Sequence, residues 1–337
     1  MSFKVRVEPS GHEFEVEYDE TVLDAALRQG YAFPYGCRNG ACGSCKGKLL
    51  AGEVGYGDGL PPALSEEDTE RGLALFCSAR PKGDLVVEVR EIGAAKDIPV
   101  KVLPCRVARM ERLNHDVMRL FLKLPATERL QYLAGQYIDF LLKDGRRRSF
   151  SIANAPHEDE LLELHIRHVE GGRFSSEVFT KMKEKAILRF EGPLGSFFLR
   201  EDTERPIILM AGGTGFAPIK GIIEHAIAEG IRRPMHLYWG ARTRADLYLD
   251  ELARRWAAEH ENIEYIPVLS QPLAEEAWEG RTGYVHEAIA ADFEELSAYE
   301  VYASGPPAMV KAAEPAFAER GLDPNNYFFD SFEYAAD

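Results

Sequence analysis

Hydrophobic and polar residues alternate in two runs near the N-terminus, at residues 3–8 and 13–18. A period of two predicts strands with one buried face, and the Ser10-Gly11 pair between the runs predicts a hairpin. The following apolar residues are spaced for a short helix over 22–29, which Thr21 can cap. A first domain is completed by a predicted strand near 48–50, a helix near 65–72 and a strand at 85–90.

Between residues 102 and 200, the apolar positions fall into short runs separated by turn residues. Many short strands at this spacing predict a small antiparallel barrel. The predicted strands are 105–107, 118–122, 137–142, 149–152, 161–168 and 186–190, and one helix is predicted at 174–182.

From Arg205 onward, short apolar runs alternate with longer segments of helical spacing. Strands that alternate with helices predict βαβ units and a parallel sheet. The predicted strands are 207–210, 235–239, 263–269 and 300–303, and the predicted helices are 217–229, 245–259, 285–291 and 307–320. The aromatic run at 327–334 lacks helical spacing and predicts an edge strand.

These patterns predict a multidomain chain that combines α+β and α/β architecture. The predicted parts are a domain at 1–92, a linker at 93–100, an antiparallel barrel at 101–202 and a parallel-sheet domain at 203–337. The stretch GAAKDIP at 93–99 has small residues and a closing proline, which suit a domain boundary.

The first domain contains the loop PYGCRNGACGSCK, in which the cysteines are Cys37, Cys42 and Cys45; Cys77 follows after 31 intervening residues. This C-x4-C-x2-C…C spacing is that of plant-type 2Fe–2S ferredoxins, in which four thiolates hold two irons. The β-grasp ferredoxin fold is therefore expected for this domain. A structural zinc site or ordinary buried cysteines are the alternatives, but zinc sites usually pair two C-x2-C units and only one is present.

The net charge of −15 is unevenly distributed along the 337 residues. Residues 1–92 carry 10 basic and 16 acidic side chains, residues 93–200 carry 19 and 14, and residues 201–337 carry 11 and 25. An acidic chain is a poor candidate for binding nucleic acid. The basic middle third suits a bound pyrophosphate, although a solvated basic face would give the same charge.

Compartment signals are few. No apolar run approaches the roughly 18 residues of a membrane span, and the N-terminus does not have the pattern of a signal peptide. Cys105 is the one cysteine outside the proposed cluster, which argues against a disulfide framework. We therefore expect a cytoplasmic protein without a membrane partner.

The segment RRRSFSIANAP contains Arg148-Ser149-Phe150-Ser151. Alone, this tetrapeptide usually marks a strand end, but here it resembles the flavin motif R-x-Y/F-S of the ferredoxin–NADP reductase superfamily. The resemblance implies an FAD site that includes Ser149. In it, Arg148 meets the pyrophosphate as a charge-assisted donor, Phe150 stacks on the flavin ring and the Ser151 hydroxyl lies near the reactive nitrogen.

Two downstream segments extend this resemblance. His165-Ile166-Arg167 matches the strand that lies along the flavin ring, where His165 is a binding residue rather than a catalytic base. Gly172-Arg173-Phe174-Ser175 matches the family's G-x-x-S, in which a helix N-terminus receives the diphosphate. The FAD contacts implied in this second segment are Gly172, Phe174 and Ser175.

The segment AGGTGFAP at 211–218 follows an apolar strand and opens a predicted helix, which is the context that a phosphate-binding loop requires. It resembles the nicotinamide domain of the same superfamily. The implied NAD(P)H contacts are Gly212, Gly213, Thr214, Gly215 and Pro218, with Gly240 and Arg242 bordering the adenosine ribose.

Members that prefer NADP commonly have an arginine after a serine near residue 270. This chain has Ser270-Gln271-Pro272, which favours NADH. NADPH is not excluded, because Arg242 and Arg244 could still reach a phosphate.

The segment SGPPAM at 304–309 resembles the family pattern C-G-P-x-x-M, in which the cysteine lies beside the reactive carbon of nicotinamide. Ser304 replaces that cysteine with a less polarizable hydroxyl, which leaves its help in hydride transfer open. The resemblance assigns binding to Gly305, Pro306 and Met309, and the candidate catalytic residues are Ser151, Thr214 and Ser304. Phe332 is the candidate aromatic that covers the far face of the flavin.

The three predicted sites form one electron path. NADH gives two electrons together and a 2Fe–2S cluster accepts one, so FAD belongs between them. The domain order resembles reductase components of ring-hydroxylating dioxygenases and multicomponent monooxygenases. Phrases such as YLAGQYIDF and YFFDSF more closely resemble the CDP-6-deoxy-Δ3,4-glucoseen reductases of dideoxy-sugar synthesis.

The resemblance implies an electron-accepting partner enzyme, either a sugar dehydrase or an oxygenase component. A redox-sensing or scaffold protein with a vestigial nicotinamide site is the non-enzyme alternative, for which Ser304 is the single hint.

Overall fold

The computed structural model describes residues 2–57, 59–92 and 98–333. The chain divides into two compact units, residues 1–99 and residues 100–337. Most of the predicted linker, residues 93–97, lies outside the described residues. The two units are described separately.

The first unit is a mixed sheet with short helices. Its strands are β1 Ser2–Glu8, β2 Glu13–Glu17, β3 Lys46–Ala51, β4 Val54–Gly55, β5 Leu73–Leu75, β6 Arg80–Pro81 and β7 Leu85–Glu88, and its helices are α1 Val22–Arg28 and α2 Glu66–Glu70. Within the described part of this unit, one sheet has the order β2-β1-β7-β3-β5, with β1 and β7 parallel. The strands β4 and β6 form a separate pair.

The predicted hairpin is confirmed, because β1 and β2 pair antiparallel with Val5 opposite Phe14. Both side chains are buried, as the alternation requires. The predicted cap of α1 is also confirmed: the Thr21 hydroxyl accepts the Asp24 N–H at 3.1 Å. The short strands β4, β5 and β6 are absent from our sequence prediction, since two or three residues are too few to show a period.

The second unit begins with an antiparallel barrel. Its elements are β8 Lys101–Arg112, β9 Val117–Lys123, β10 Tyr137–Leu141, β11 Arg147–Ser151, β12 Leu162–Arg167, α3 Arg173–Thr180 and β13 Ile187–Leu194. The strand order is β11-β10-β13-β8-β9-β12 in the described chain. A bridge between Ile152 and Leu164 joins the two outer strands and closes the barrel. The predicted strand 105–107 is only the middle of β8, which runs on through a bulge near Val107.

The rest of the second unit is a parallel sheet with helices on both faces. Its elements are β14 Ile207–Gly212, α4 Phe216–Ala228, β15 Met235–Ala241, α5 Asp250–Glu259, β16 Ile263–Leu269, β17 Arg281–Thr282, α6 Val285–Asp292, β18 Glu300–Gly305, α7 Pro307–Ala318 and β19 Tyr327–Ser331. The order β17-β16-β15-β14-β18-β19 is parallel throughout the described strands, as predicted.

The central strand β14 is completely buried and separates two apolar layers. Ile207 and Leu209 pack with α4 and α5 on one face, whereas Ile208 and Met210 pack with α6 and α7 on the other. The parallel sheet therefore has its ligand-binding edge at the carboxyl ends of its strands.

The predicted helix 245–259 is wrong at its start. A 3-10 turn occupies Arg244–Asp246, and α5 begins only at Asp250. The Asp246 carboxylate accepts hydrogen bonds from the N–H and hydroxyl of Thr243. Such local side-chain bonding favours a turn over a continuous helix. The predicted C-terminal edge strand is confirmed as β19, which lies at the edge of the sheet.

A buried ion pair ties the barrel to the parallel sheet. Arg233 and Glu300 lie 2.6 Å apart with almost no exposure, and Arg233 also donates to the carbonyl oxygens of Arg200 and Arg205.

In the described part of the chain, no helix is both long enough and apolar enough to cross a membrane.

Candidate functional site

The four cysteines of the first unit lie as two adjacent pairs. The Cys37 N–H donates to Cys42 Sγ at 3.4 Å, and the Cys42 N–H donates to Cys37 Sγ at 3.3 Å. Contact with the Cys42 thiol lowers the pKa of Cys37 to about 6, and contact with the Cys45 thiol lowers the pKa of Cys77 to about 7. The same contacts, together with burial, raise the pKa of Cys42 and Cys45. One cysteine of each pair is therefore favoured as the thiolate, the form that binds iron.

The loop around these sulfurs has little room for a side chain at two of its glycines. Gly40 has φ +79°, and a Cβ there would lie 2.6 Å from Pro61. A Cβ at Gly36 would lie 3.2 Å from Cys42 Sγ. Backbone N–H groups of the loop donate to the sulfurs of Cys37 and Cys77. Amide donors around clustered sulfur ligands fit a 2Fe–2S cluster, whose sulfurs carry negative charge.

In the second unit, β11 brings the flavin-motif residues to the barrel surface. Phe150 is half-buried and packs beside Phe140 and Phe174, at ring centroid distances of 5.8 and 5.5 Å. The Ser149 hydroxyl is held by Asp139 at 2.5 Å. Arg148 donates to the Arg147 carbonyl oxygen at 2.8 Å and is half-buried. Phe174 is only 5 % exposed, so it supports the Phe150 ring from the core side.

The segment after β12 ends in a helix N-terminus. Gly172 is the N-cap of α3 and provides no side-chain cap. The Ser175 hydroxyl accepts the Val169 N–H at 3.1 Å, which fixes the preceding turn. The first N–H groups of α3 are thus available to a diphosphate.

The three residues predicted along the flavin ring have different surroundings. Ile166 is fully buried in the barrel core. The His165 side chain is also fully buried and is bonded to Glu163 and Tyr248. Arg167 pairs with Asp116 at 2.8 Å and reaches Gly213, where a Cβ would lie 3.2 Å from its Nη1. Of the three, Arg167 is the side chain that reaches the glycine-rich loop after β14.

A cleft of about 440 Å³ lies at the carboxyl ends of the parallel strands, and we call it the dinucleotide cleft. Its walls combine loops of the parallel sheet with barrel residues Asp116 and Arg167. The predicted NAD(P)H residues that line it are Gly212, Gly213, Thr214, Gly240, Arg242, Pro306 and Met309. Gly215, Pro218 and Gly305 are not among its lining residues.

Gly215 serves close packing instead. A Cβ at this position would lie 1.9 Å from the carbonyl oxygen of Ser304, so only glycine lets the loop after β14 lie against the end of β18.

Three polar residues lie near one another at the end of β18, and we call them the Ser151–Asp330–Ser304 corner. The Ser151 hydroxyl donates to Asp330 Oδ2 at 3.0 Å across the barrel and the sheet. Asp330 is the register partner of Ser304 in the β18–β19 pair. The Ser304 hydroxyl is completely buried and has no hydrogen-bond partner among the described residues. An unpartnered buried hydroxyl beside a serine–carboxylate pair suits a reacting group bound there.

Phe332 follows β19 and is partly exposed. Its N–H donates to the Gly305 carbonyl oxygen at 2.9 Å, which places it beside the same corner. Our sequence prediction selected Phe332 from the terminal aromatic run but missed Asp330. The sequence signal that could have identified Asp330 is its place as the single carboxylate in the aromatic run YFFDSF.

The dinucleotide cleft also has an aromatic lining, which Tyr284 and His286 provide. Tyr284 is 64 % exposed and stacks on His286 at a centroid distance of 5.9 Å. His286 Nδ1 is buried and has no hydrogen-bond partner among the described atoms. Such a surface suits the flat base of an adenine nucleotide. Neither residue figured in the sequence prediction, because no short motif marks a stacking surface.

Comparison with known families assigns each part of the chain. The family models that match are the 2Fe-2S iron-sulfur cluster binding domain at residues 5–82, the oxidoreductase FAD-binding domain at 104–199 and the oxidoreductase NAD-binding domain at 209–315. The predicted cofactor classes, a 2Fe–2S cluster, FAD and NAD, are thereby confirmed.

Relatives match over nearly the whole chain. The CDP-6-deoxy-L-threo-D-glycero-4-hexulose-3-dehydrase reductase of Yersinia pestis is 42 % identical, covering 98 % of this chain and 99 % of its own. The phenol 2-monooxygenase reductase component DmpP of Pseudomonas sp. (strain CF600) is 36 % identical over 100 % of this chain and 96 % of its own. The crystal structure of the Amycolatopsis cytochrome P450 reductase GcoB superposes with a TM-score of 0.80 at 35 % identity, covering 99 % of this chain and 100 % of its own.

The predicted fold class is confirmed by these matches and by the described sheets. The chain belongs to the ferredoxin–NADP reductase superfamily of oxidoreductases, in the branch whose members join a 2Fe–2S ferredoxin domain to FAD-binding and NAD-binding domains.

Proposed function

We propose that this oxidoreductase carries electrons from NADH, through FAD and the 2Fe–2S cluster, to a separate dehydrase that acts on a CDP-linked 6-deoxyhexulose. The observation that carries the proposal is the end-to-end similarity to the Yersinia pestis reductase, which is named for such a dehydrase. The proposed domains are the cluster domain at 1–92, the FAD barrel at 101–202 and the NADH domain at 203–337.

The 2Fe–2S cluster and FAD each have residues in this chain that are suited to bind them. Cys37, Cys42, Cys45 and Cys77 bind the cluster, and the N-terminus of α3 with Arg148 binds the FAD diphosphate. When bound, FAD accepts two electrons together and releases them singly to the cluster. The Ser151 hydroxyl, polarised by Asp330, holds a proton at Oγ beside the reacting groups.

Binding of NADH is supported by the dinucleotide cleft. Arg167 and Gly213 lie where a pyrophosphate would bind, and Tyr284 with His286 offers a stacking surface for adenine. We also propose a cytoplasmic location, because the five cysteines form no disulfide with one another and disulfide-free cysteines are typical of a reducing compartment.

The direct test mixes the purified holoprotein with a pyridoxamine-dependent CDP-hexulose dehydrase, its substrate and NADH. We expect NADH consumption to match formation of the deoxygenated sugar. Absence of product, together with normal NADH oxidation by ferricyanide, would contradict the dehydrase as partner while leaving the reductase activity intact.

The alternative is the reductase component of an oxygenase. It is favoured by the whole-length similarity to DmpP and to GcoB, which serve a monooxygenase and a cytochrome P450 according to their names. The same assay with an aromatic oxygenase component in place of the dehydrase separates the two, since hydroxylated product would form only in the alternative case.

Replacing Arg148 with alanine should weaken FAD retention by roughly 1.5–3 kcal/mol, the usual contribution of a hydrogen bond to a charged group. Fluorescence of released flavin during dialysis measures the dissociation constant. Arg146→Ala is the matched control, because Arg146 already pairs with Asp144 at 2.7 Å. Equal FAD loss in both variants would contradict the assignment of Arg148.

Replacing Gln271 with arginine should raise kcat/KM for NADPH by roughly tenfold, because a charge-assisted bond to the 2′-phosphate is worth about 1.5–3 kcal/mol. The Gln271 N–H donates to the Arg242 carbonyl oxygen at 2.8 Å, so the new side chain starts beside the cleft. Wild-type protein should prefer NADH. A wild-type preference for NADPH would contradict the proposed donor.

A further inference from the structure

His165 lies on β12 with its side chain completely buried, and both ring nitrogens have partners. Nδ1 lies 3.0 Å from the Tyr248 hydroxyl, and Nε2 lies 2.8 Å from Glu163 Oε1. Because a carboxylate only accepts, Nε2 carries the hydrogen and Nδ1 accepts from Tyr248. Burial lowers the pKa of His165 and raises the pKa of Tyr248, which keeps both groups neutral in this arrangement.

Glu163 is fixed from both parts of the second unit. Arg119 of the barrel donates to its two oxygens, each at 2.9 Å. Lys220 of α4 lies 3.2 Å from Oε2 and also donates to the Ala153 carbonyl oxygen at 3.1 Å. This buried network anchors His165 where the barrel meets the parallel sheet.

Tyr248 extends the network to the dinucleotide cleft, which it lines. Its ring meets Trp239 edge to face at 5.1 Å, and Trp239 donates from Nε1 to the Gly213 carbonyl oxygen at 3.0 Å. Trp239 in turn stacks on Phe216 at 3.9 Å. The position of Tyr248 therefore depends on aromatic packing on one side and on His165 on the other.

We infer that His165 and Tyr248 are positioning residues that fix the wall of the dinucleotide cleft and thereby set the affinity for the nicotinamide dinucleotide. The inference rests on the proposed function of the cleft. It gives His165 a role different from the flavin contact that the sequence resemblance implied: His165 acts on the dinucleotide through the Tyr248 hydroxyl. Because the network lies outside the Ser151–Asp330–Ser304 corner, its loss should change affinity and leave the maximal rate unchanged.

The test measures binding of NAD+ to FAD-loaded, full-length protein by isothermal calorimetry. Tyr248→Phe keeps the ring and removes the hydroxyl, and His165→Phe keeps a buried aromatic ring and removes the nitrogen that accepts from Tyr248. Each should raise the NAD+ dissociation constant roughly fivefold, the equivalent of one net hydrogen bond, and the double variant should raise it no further. KM for NADH should rise in parallel, with kcat and FAD content unchanged.

Tyr265→Phe is the matched control. The Tyr265 hydroxyl donates to Asp250 at 2.8 Å in the same part of the unit, but Tyr265 does not line the cleft. Unchanged NAD+ affinity in Tyr248→Phe, an equal loss in Tyr265→Phe, or loss of FAD from either test variant would overturn the inference. Wild-type protein that fails to bind NAD+ would instead overturn the proposed function together with it.

Discussion

Replacing Cys45 with serine should abolish electron delivery to cytochrome c and to the partner enzyme, while NADH oxidation by ferricyanide continues. Cys45 is 3 % exposed and contacts Cys77, so its loss removes one ligand of a buried pair. A serine hydroxyl ionises far less readily than a thiol and is a poor substitute for a thiolate ligand, so we expect the cluster to be lost. Iron content should fall with the activity toward cytochrome c.

Cys105→Ser is the control for this experiment. Cys105 is buried in the barrel, where burial raises the pKa of its thiol to about 12 and keeps it protonated. We expect this variant to retain about two irons per chain and full cytochrome c reduction. Iron loss from Cys105→Ser, or an intact cluster in Cys45→Ser, would show that the ligand set is wrong. FAD content checks that the second unit is folded in each variant, and circular dichroism compared with that of wild type checks the first unit.

Replacing Ser151 with alanine should slow reduction of the bound flavin by NADH roughly tenfold, because the variant loses a hydrogen bond of about 1.5 kcal/mol at the reacting groups. The Ser151 hydroxyl donates to Asp330 Oδ2 at 3.0 Å, so the carboxylate orients the hydroxyl and makes its oxygen a better hydrogen-bond acceptor. Asp330→Asn keeps the shape of the corner but loses the charge, and should give a smaller decrease. Stopped-flow absorbance at saturating NADH measures these rates.

Ser176→Ala provides the comparison, because the Ser176 hydroxyl is also hydrogen-bonded, to His168 at 3.2 Å, but lies on α3. Its rate of flavin reduction should equal that of wild type. A Ser151→Ala rate within about twofold of wild type would remove the proton-holding role from Ser151, and the corner would then serve packing alone.

Sequence reasoning succeeded where chemistry requires residues that are close along the chain. Three such features are the cysteine loop, the glycine-rich turn before α4 and the alternating strands β1 and β2. Within each feature, the residues that define it are close together in the sequence. Each is constrained locally by ligand geometry, by close backbone approach or by the pleat of a strand.

It failed where function depends on contacts between distant segments. Ser151 and Asp330 are 179 positions apart, and His165 and Tyr248 are 83 apart. Whether a histidine on a strand faces a cofactor or a neighbouring domain depends on how two sheets pack, which periodicity does not encode. The late start of α5 has a similar origin, because the Asp246 side chain bonds the backbone of Thr243 in place of extending the helix.

The central claim is that electrons leave through the cluster, and the most direct measurement compares the full chain with a fragment of residues 100–337. This fragment corresponds to the second compact unit, so it should fold and retain FAD. We predict that it oxidises NADH with ferricyanide at the rate of the full chain but does not reduce cytochrome c or the partner enzyme. Reduction of the partner by the fragment at the rate of the intact chain would contradict the proposed path.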